Sequence, residues 1–113
     1  MHIIVNITES EIESMEDSDI PDHNTGAMVE FLGIVREEEN GEIIKGITYE
    51  AYEGMAVKKM KEILEKLAAG QSINAVEVIH RVGWVPVGKA SLLIRVYSRH
   101  RKEAFELLSL IHI

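Results

Sequence analysis

The chain has 113 residues and a formal net charge of -7, from 12 Lys and Arg against 19 Asp and Glu. That length predicts a single domain, 1–113, able to bury a core without disulfides or metal. This acidity excludes general nucleic-acid binding, which needs a basic surface. The chain has no cysteine, which excludes disulfides, thiolate zinc sites and a Cys nucleophile and fits the cytoplasm. No apolar run approaches the roughly 20 residues of a membrane span.

The first 35 residues predict two strands that are separated by a helix and a turn. Residues 2–8 are apolar and β-branched, which is typical of a strand. Residues 9–20 carry apolar side chains at helical spacing among acids, which predicts a short acidic helix. Residues 21–26 have turn composition, and 27–35 predict a largely buried strand.

A hairpin is predicted next, because Asn40-Gly41 is a strong signal for a two-residue turn. Residues 43–52 alternate well enough to be the returning strand. This alternation leaves two registers open. The side chains that face inward are either Ile43, Lys45, Ile47, Tyr49 and Ala51 or the residues that alternate with them.

The second half predicts a helix, two strands and a last helix. An amphipathic helix follows Gly54, and Gly70 is placed to end it. Strands are predicted at 73–83 and 90–97, with a tight connection at 84–89. Apolar residues recur at helical spacing after Ser98. The order β-α-β-β-α-β-β-α, with its hairpins, predicts an α+β fold with a mixed or antiparallel sheet.

A basic segment stands out in this acidic chain. Four of the Lys and Arg residues and one of the His residues fall between Arg95 and Lys102. Ser98 is a natural N-cap, which would place residues 99–102 in the first helical turn. Cations are unfavourable at the positive end of a helix dipole, whereas a bound anion would reverse that sign. The segment therefore predicts a site for a phosphate or carboxylate.

Not all of these cations are expected to converge. Arg99 and Lys102 share one helix face and are expected to face solvent, while Arg95 lies in a strand and is left open. Arg36, just after a buried strand, is either a ligand contact or a solvated strand end. His80 in an apolar strand is read as a structural residue, and Arg81 could pair with a carboxylate.

Other chemistries have no support in the sequence. The five His residues show no metal-ligand spacing, so no metal is expected. The glycines form neither a dinucleotide fingerprint nor a phosphate-binding P-loop, and no cofactor is predicted. The acidic run at 37–39 is read as a solvated hairpin tip.

Four motifs together resemble the large, catalytic subunit family of molybdopterin synthase. They are GAMVEFLGIVR (26–36), YEAYEGMA (49–56), VIHRVGWVPVG (78–88) and SRHRKEAF (98–105). Each alone is weak, but their shared order and spacing are specific. They span most of the chain from Gly26 to Phe105.

This resemblance implies an α/β-hammerhead fold and a homodimer within a heterotetramer. Each end of the dimer would bind a small ubiquitin-like sulfur-carrier subunit with a C-terminal thiocarboxylate. Two sulfurs would pass from the carrier to cyclic pyranopterin monophosphate, which forms the dithiolene of molybdopterin. The expected function is therefore sulfur transfer in molybdenum cofactor biosynthesis.

The resemblance also assigns site residues. Arg36, His100 and Arg101 correspond to catalytic residues of the substrate pocket, and Ile34 and Val35 to further substrate contacts. Phe31 falls at a matching aromatic position. A proton-shuttling role for His100 is a hypothesis, which rests on histidine being a common general acid and base in catalysis.

The chain departs from the family at its end. Family members continue past the last helix into a segment with two lysines, one of which contacts the thiocarboxylate. No lysine follows Lys102 here, and the last helix ends on apolar residues. A truncated relative is therefore expected, or a partner that covers this end. The alternatives are a catalytically inactive carrier-binding and dimerisation module, or a small-anion-binding regulatory domain.

Overall fold

The computed structural model describes residues 1–12, 20–51 and 53–111. The following list gives its elements in chain order: β1 His2–Thr8, β2 Ala27–Ile34, β3 Glu38–Glu39, β4 Glu42–Ile43, β5 Gly46–Tyr49, α1 Glu53–Ala68, β6 Ile73–Arg81, β7 Gly83–Pro86, β8 Ala90–Ser98 and α2 Arg101–Leu110.

The main sheet has four strands in the order β1-β6-β8-β2. β1 runs parallel to β6, and β8 runs antiparallel to both of its neighbours, so the sheet is mixed. β2 forms one edge, and no described strand pairs with its outer side. The α+β fold with a mixed sheet is confirmed.

The core lies between one face of this sheet and the two helices. Alternate residues of β6 and β8, such as Val76, Val78, Ile94 and Val96, point to that face, as the period of a strand requires. α1 packs against β1, and α2 packs against β8 and β2. The core helix residues recur at helical spacing, and they are Leu64, Ala68, Ala104 and Leu107.

Two predicted chain reversals occur at residues whose φ is positive. Asn40 and Gly41 have φ of 52° and 80° and form the predicted turn. This turn joins the short strands β3 and β4, whereas the strand predicted at 27–35 does not belong to the hairpin and pairs as β2 with β8. Gly70, with φ of 77°, follows the end of α1. Most of the predicted acidic helix at 9–20 lies outside the described residues.

The predicted returning strand at 43–52 is wrong as one element. It breaks at residues 44–45, where the chain leaves the β3–β4 hairpin and then forms β5, which pairs with β7. Ile43 is 79% exposed, so no single inward set from this segment exists. Within β5 itself, Ile47 and Tyr49 are the half-buried pair.

The connection predicted at 84–89 contains most of the strand β7. Gly46 allows Trp84 to pack beside β5. A Cβ on Gly46 would lie 2.5 Å from the carbonyl oxygen of Val85 and 2.6 Å from the Trp84 ring. The pairing of β5 with β7 therefore depends on the missing side chain of Gly46.

Candidate functional site

The helix α2 begins at Arg101, not at the predicted Ser98. Ser98 is the last residue of β8, where it pairs with Ala27 of β2. Its buried hydroxyl donates to the carbonyl oxygen of His100 over 2.5 Å. Because strand pairing extends to Ser98, the predicted cap is wrong, and His100 is the N-cap residue instead.

His100 leaves the helix start open to other groups. Its backbone is extended, with φ -126° and ψ 149°, and its side chain makes no capping hydrogen bond. The first N–H groups of an α-helix have no partner within the helix. With Arg101 and Lys102 in the first turn, these groups suit an anion.

The side chains of residues 99–102, which are three cations and one imidazole, are all exposed. Within the described ranges, no carboxylate lies within ion-pair distance of any of them. Arg99 and Lys102 were expected to face solvent, and they are exposed. His100 and Arg101 are exposed as well, so a ligand can reach their side chains.

Gly26 holds the segment before α2 against the start of β2. Its N–H donates to the carbonyl oxygen of Ser98 over 3.0 Å. A Cβ at this position would overlap the carbonyl oxygen of Arg99. This close approach fixes the backbone that leads into His100, and only glycine permits it without a shift.

Arg95 belongs to the basic segment in sequence but not to the exposed cluster. Its side chain is 1% exposed and lies between β2 and β6. Its Nε donates to Glu30 Oε2 over 3.2 Å, and its Nη1 lies 3.8 Å from Glu77 Oε1. Arg95, left open by the sequence, is thus a buried structural cation.

Arg36 lies just beyond the other end of β2. Its side chain is 78% exposed, and its Nη2 lies 3.6 Å from Glu39 Oε2 of the hairpin. Val35 is buried, its N–H donates to Lys89 O over 3.0 Å, and its carbonyl oxygen accepts from Gly88 N–H over 2.9 Å. Val35 therefore anchors the backbone that presents Arg36.

Ile34 and Phe31 are the remaining residues assigned by the resemblance. Ile34 is 53% exposed and ends β2 beside Arg36. Phe31 is 43% exposed in the middle of the same strand. Both side chains therefore remain accessible along this edge strand.

The two groups of assigned residues lie at opposite ends of the sheet. Ala27 pairs with Ser98, and Ile34 pairs with Ala90, so the basic start of α2 and Arg36 flank opposite ends of β2. At a rise of about 3.3 Å per residue, these ends are about 23 Å apart. One copy of the chain does not bring Arg36 to His100 and Arg101.

His80 has the structural environment that its apolar strand suggested. Its Nδ1 donates to the carbonyl oxygen of Arg81 over 2.8 Å. The Tyr49 ring contacts it edge-on, with ring centroids 5.4 Å apart. Arg81 in turn donates to the carbonyl oxygen of Trp84 over 3.4 Å.

Glu103 was not singled out by the sequence. It lies in the first turn of α2, two residues after Arg101, and is half-buried. Its Oε2 is buried, with no hydrogen-bond partner in the described part of the chain. A signal for it was available, since acids favour the first turn of a helix.

Among residues 1–12, 20–51 and 53–111, no group of three or more His, Cys, Asp or Glu could hold a metal ion. No helix in these ranges is long and apolar enough to cross a membrane.

The family model described as MoaE protein matches residues 6–111. The chain belongs to the MoaE family. This match runs from the last three residues of β1 through α2, so it includes both ends of the sheet that carry the assigned site residues.

Two curated relatives illustrate the similarity. The molybdopterin synthase catalytic subunit of Dictyostelium discoideum is 38% identical over 89 residues, which is 77% of this chain and 56% of the relative. The subunit of the same name from Pyrococcus abyssi is 40% identical over 83 residues, 74% of this chain and 56% of the relative. The chain thus spans little more than half of these relatives.

Solved structures share the fold. Molybdopterin synthase from Staphylococcus aureus superposes with a TM-score of 0.77 at 28% identity, over 90% of this chain and 75% of that chain. A complex of subunits 1 and 2 of molybdopterin-converting factor from Helicobacter pylori gives a TM-score of 0.68 at 25% identity, over 93% and 72%.

Proposed function

We propose that the chain is the catalytic subunit of a molybdopterin synthase. In this role it transfers sulfur from a thiocarboxylated carrier subunit to cyclic pyranopterin monophosphate. The observation that carries the proposal is the uncapped start of α2, where His100 and Arg101 are exposed and have no carboxylate partner in the described residues. MoaE family membership supplies the reaction class.

The chemistry of the substrate fits this helix start. A cyclic phosphate carries negative charge and oxygen acceptors, which a guanidinium binds through paired N–H donors. The N–H groups of the first turn add donors that point along the helix axis. Arg101 thus anchors the phosphate, and His100 is placed to move a proton during ring opening or sulfur addition.

The complete site requires two copies of the chain. Arg36 of one copy is about 23 Å of strand away from its own α2 start, which is too far for a common small ligand. If two β2 edges pair antiparallel about an axis near Phe31, residue 36 of one copy meets residue 26 of the other. Gly26 touches Arg99, so the partner copy's Arg36 would join His100 and Arg101.

The edge of β2 supports such a pairing. It is an eight-residue strand whose outer side pairs with no described strand, and Met28, Phe31 and Ile34 expose apolar surface along it. Exposed edges of this length readily pair with another strand. Symmetric pairing then forms two identical sites per dimer.

The sulfur donor is a separate small subunit. The Helicobacter pylori neighbour is a complex of two subunits of molybdopterin-converting factor, and we extend that arrangement to this chain. Two carriers on one dimer give a heterotetramer. The cytoplasm is the proposed compartment, in keeping with a chain that contains no cysteine.

A reconstitution assay tests the function. The protein is mixed with thiocarboxylated carrier and cyclic pyranopterin monophosphate, and molybdopterin is measured. Product formation is the expected result. Carrier binding without product would instead identify an inactive carrier-binding module, and binding of phosphate without either partner would leave an anion-binding regulatory domain.

The role of His100 is tested separately. His100→Ala should lower kcat much more than it raises KM for the pterin, because a proton-transfer group acts mainly in the transition state. His23→Ala is the matched control, since His23 is exposed in the turn before β2. Equal losses in turnover and substrate affinity would exclude acid–base catalysis by His100.

A further inference from the structure

Phe105 is an exposed aromatic residue on the helix that carries Arg101. Its side chain is 56% exposed, whereas Ala104 and Leu107 on the same helix are completely buried. The core is therefore formed without Phe105. A large ring left in water beside a binding helix is a candidate contact for a ligand or a partner.

Helix geometry places Phe105 next to Arg101. The two residues are four apart, so they lie on the same face and are separated by about 6 Å along the axis. In an α-helix the Cα–Cβ bond tilts toward the N-terminus, so the Phe105 ring is directed toward the turn of Arg101. Ring and guanidinium thus border one stretch of surface.

We propose that Phe105 is a substrate-binding residue whose ring packs against the planar ring of the pterin while Arg101 holds the phosphate. This inference rests on the proposed function and names how the heterocycle is recognised. Phosphate contacts alone would accept any phosphate ester of suitable size. An aromatic platform one turn away selects for a flat heterocycle.

The surroundings of Phe105 favour a ligand with both charge and a flat ring. Lys102 and Arg101 lie within about one turn before it, and both are exposed. Leu110, the other exposed apolar residue of α2, is nine residues after Arg101 and so lies on the opposite side of the helix. The aromatic residue, and not Leu110, shares the cationic face.

Two partial ligands separate the roles of ring and charge. Neopterin carries the pterin ring without phosphate, and inorganic phosphate carries the charge without a ring. Phe105→Ala should weaken neopterin binding about 5- to 100-fold, as loss of one ring–base stacking contact does, and leave phosphate binding unchanged. Arg101→Ala should show the reverse pattern, and Phe105→Trp should retain neopterin binding.

The matched control is Leu110→Ala, which removes exposed apolar surface from the opposite side of α2. It should change neither affinity. Equal neopterin affinity for wild-type protein and Phe105→Ala would overturn the inference. So would a Phe105→Ala variant that dissociates into monomers in sedimentation but keeps wild-type neopterin affinity, because Phe105 would then belong to the subunit interface.

The reconstitution assay distinguishes this inference from the proposed function. If wild-type protein forms molybdopterin and Phe105→Ala matches it in KM, the function stands and the role of Phe105 falls. If wild-type protein forms no molybdopterin and binds no neopterin, both fall. A raised KM with nearly unchanged kcat in Phe105→Ala is the expected result.

Discussion

The cations near the two ends of strand β8 differ in whether a carboxylate lies within ion-pair distance. Beyond Ser98, the side chains of residues 99–102 are exposed, with no carboxylate within ion-pair distance in the described part of the chain. Near Ala90, Lys89 lies 2.8 Å from Glu11, and Arg36 lies 3.6 Å from Glu39. One end is left unneutralised and the other is neutralised within the chain.

This difference shows at which end of β8 an external anion would bind most favourably. Cations that already have a carboxylate must give up that partner to bind a ligand, whereas those at the start of α2 need not. In the proposed dimer the neutralised Arg36 of one copy would join the unneutralised cations of the other. The phosphate would then compete with Glu39 for Arg36 only.

The largest effect is expected from Arg95, which sharpens the contrast between structural and functional cations. Arg95→Ala removes a buried guanidinium that lies between Glu30 and Glu77, and should cost about 3–5 kcal/mol of unfolding free energy. Urea denaturation measures the loss. Arg99→Ala, at an exposed cation, should stay within about 0.5 kcal/mol of wild type.

Comparable losses from Arg95→Ala and Arg99→Ala would remove the distinction. The comparison is matched because both substitutions delete one arginine from the same basic segment. They differ in burial and in carboxylate partners. A stability difference between them therefore reports the environment and not the change of net charge.

The next effect tests whether the two ends meet across a dimer. Arg36→Ala and Arg101→Ala should each lower molybdopterin formation by about 100-fold or more, as loss of a charged donor at a reacting anion does. When the two variants are co-expressed, half of the dimers are mixed, and each mixed dimer has one intact site. Activity should then recover to about a quarter of wild type.

Recovery in this experiment has one explanation, because neither variant alone contains both arginines. A co-expressed pair with no more activity than either variant would place Arg36 and Arg101 in separate sites or in one copy. The control is co-expression of two copies of Arg36→Ala that carry different purification tags. It reproduces the mixing without restoring a site.

Much of the fold could be predicted from local sequence. The Asn40-Gly41 hairpin, the end of α1 near Gly70 and the core strands follow from turn chemistry and apolar runs. The break at residues 44–45 could not be predicted, because it depends on the pairing of β5 with a distant strand. Nonlocal pairing outweighed local alternation there.

The candidate site was predicted in part. The sequence located the cations of α2 but placed the helix start at Ser98, because a serine before a helical pattern is an ordinary cap signal. Pairing of Ser98 with Ala27 prevailed instead. The burial of Arg95 against Glu30 and Glu77 and the separation of Arg36 from Arg101 are properties of the sheet register, which the sequence alone did not specify.

Substitution of Gly26, which lies beside the segment before α2, is expected to have a smaller effect on stability and activity. Gly26→Ala places a Cβ against the carbonyl oxygen of Arg99, so the segment before α2 must shift. We expect a loss of about 1–3 kcal/mol of stability and a drop in activity. Gly54→Ala is the control, since no described atom apart from its chain neighbours and its own helix backbone lies within 4 Å of its Cβ position, and alanine favours the helix.

If Gly26→Ala lowers stability but leaves the pterin KM and kcat unchanged, the backbone of Arg99 and His100 does not set the site geometry. The crystal structure of the variant would show the size of the shift. Gly54→Ala should be as stable as wild type or slightly more stable. Its activity should be unaffected.

The smallest effect lies at the neutralised end and concerns pH. The hydrogen bond and charge of Lys89 lower the pKa of Glu11, and the charge of Arg81 adds to this. A carboxyl whose pKa is lowered by folding stabilises the fold above its unfolded pKa. That contribution is lost as the pH falls through the folded pKa.

Lys89→Gln should therefore raise the pKa of Glu11 toward its ordinary value and reduce the acid-dependent part of stability that Glu11 supplies. Carboxyl NMR titration measures the change. The pKa of Asp22, which the Asn74 amide and the Asn24 N–H lower, is the internal reference and should not move. Because both groups of the Lys89–Glu11 pair are about half exposed, only a small change in urea midpoint is expected.

An unchanged pKa of Glu11 in Lys89→Gln would mean that the pair does not neutralise this end of β8. The contrast between the two ends of β8 would then rest on Arg36 and Glu39 alone.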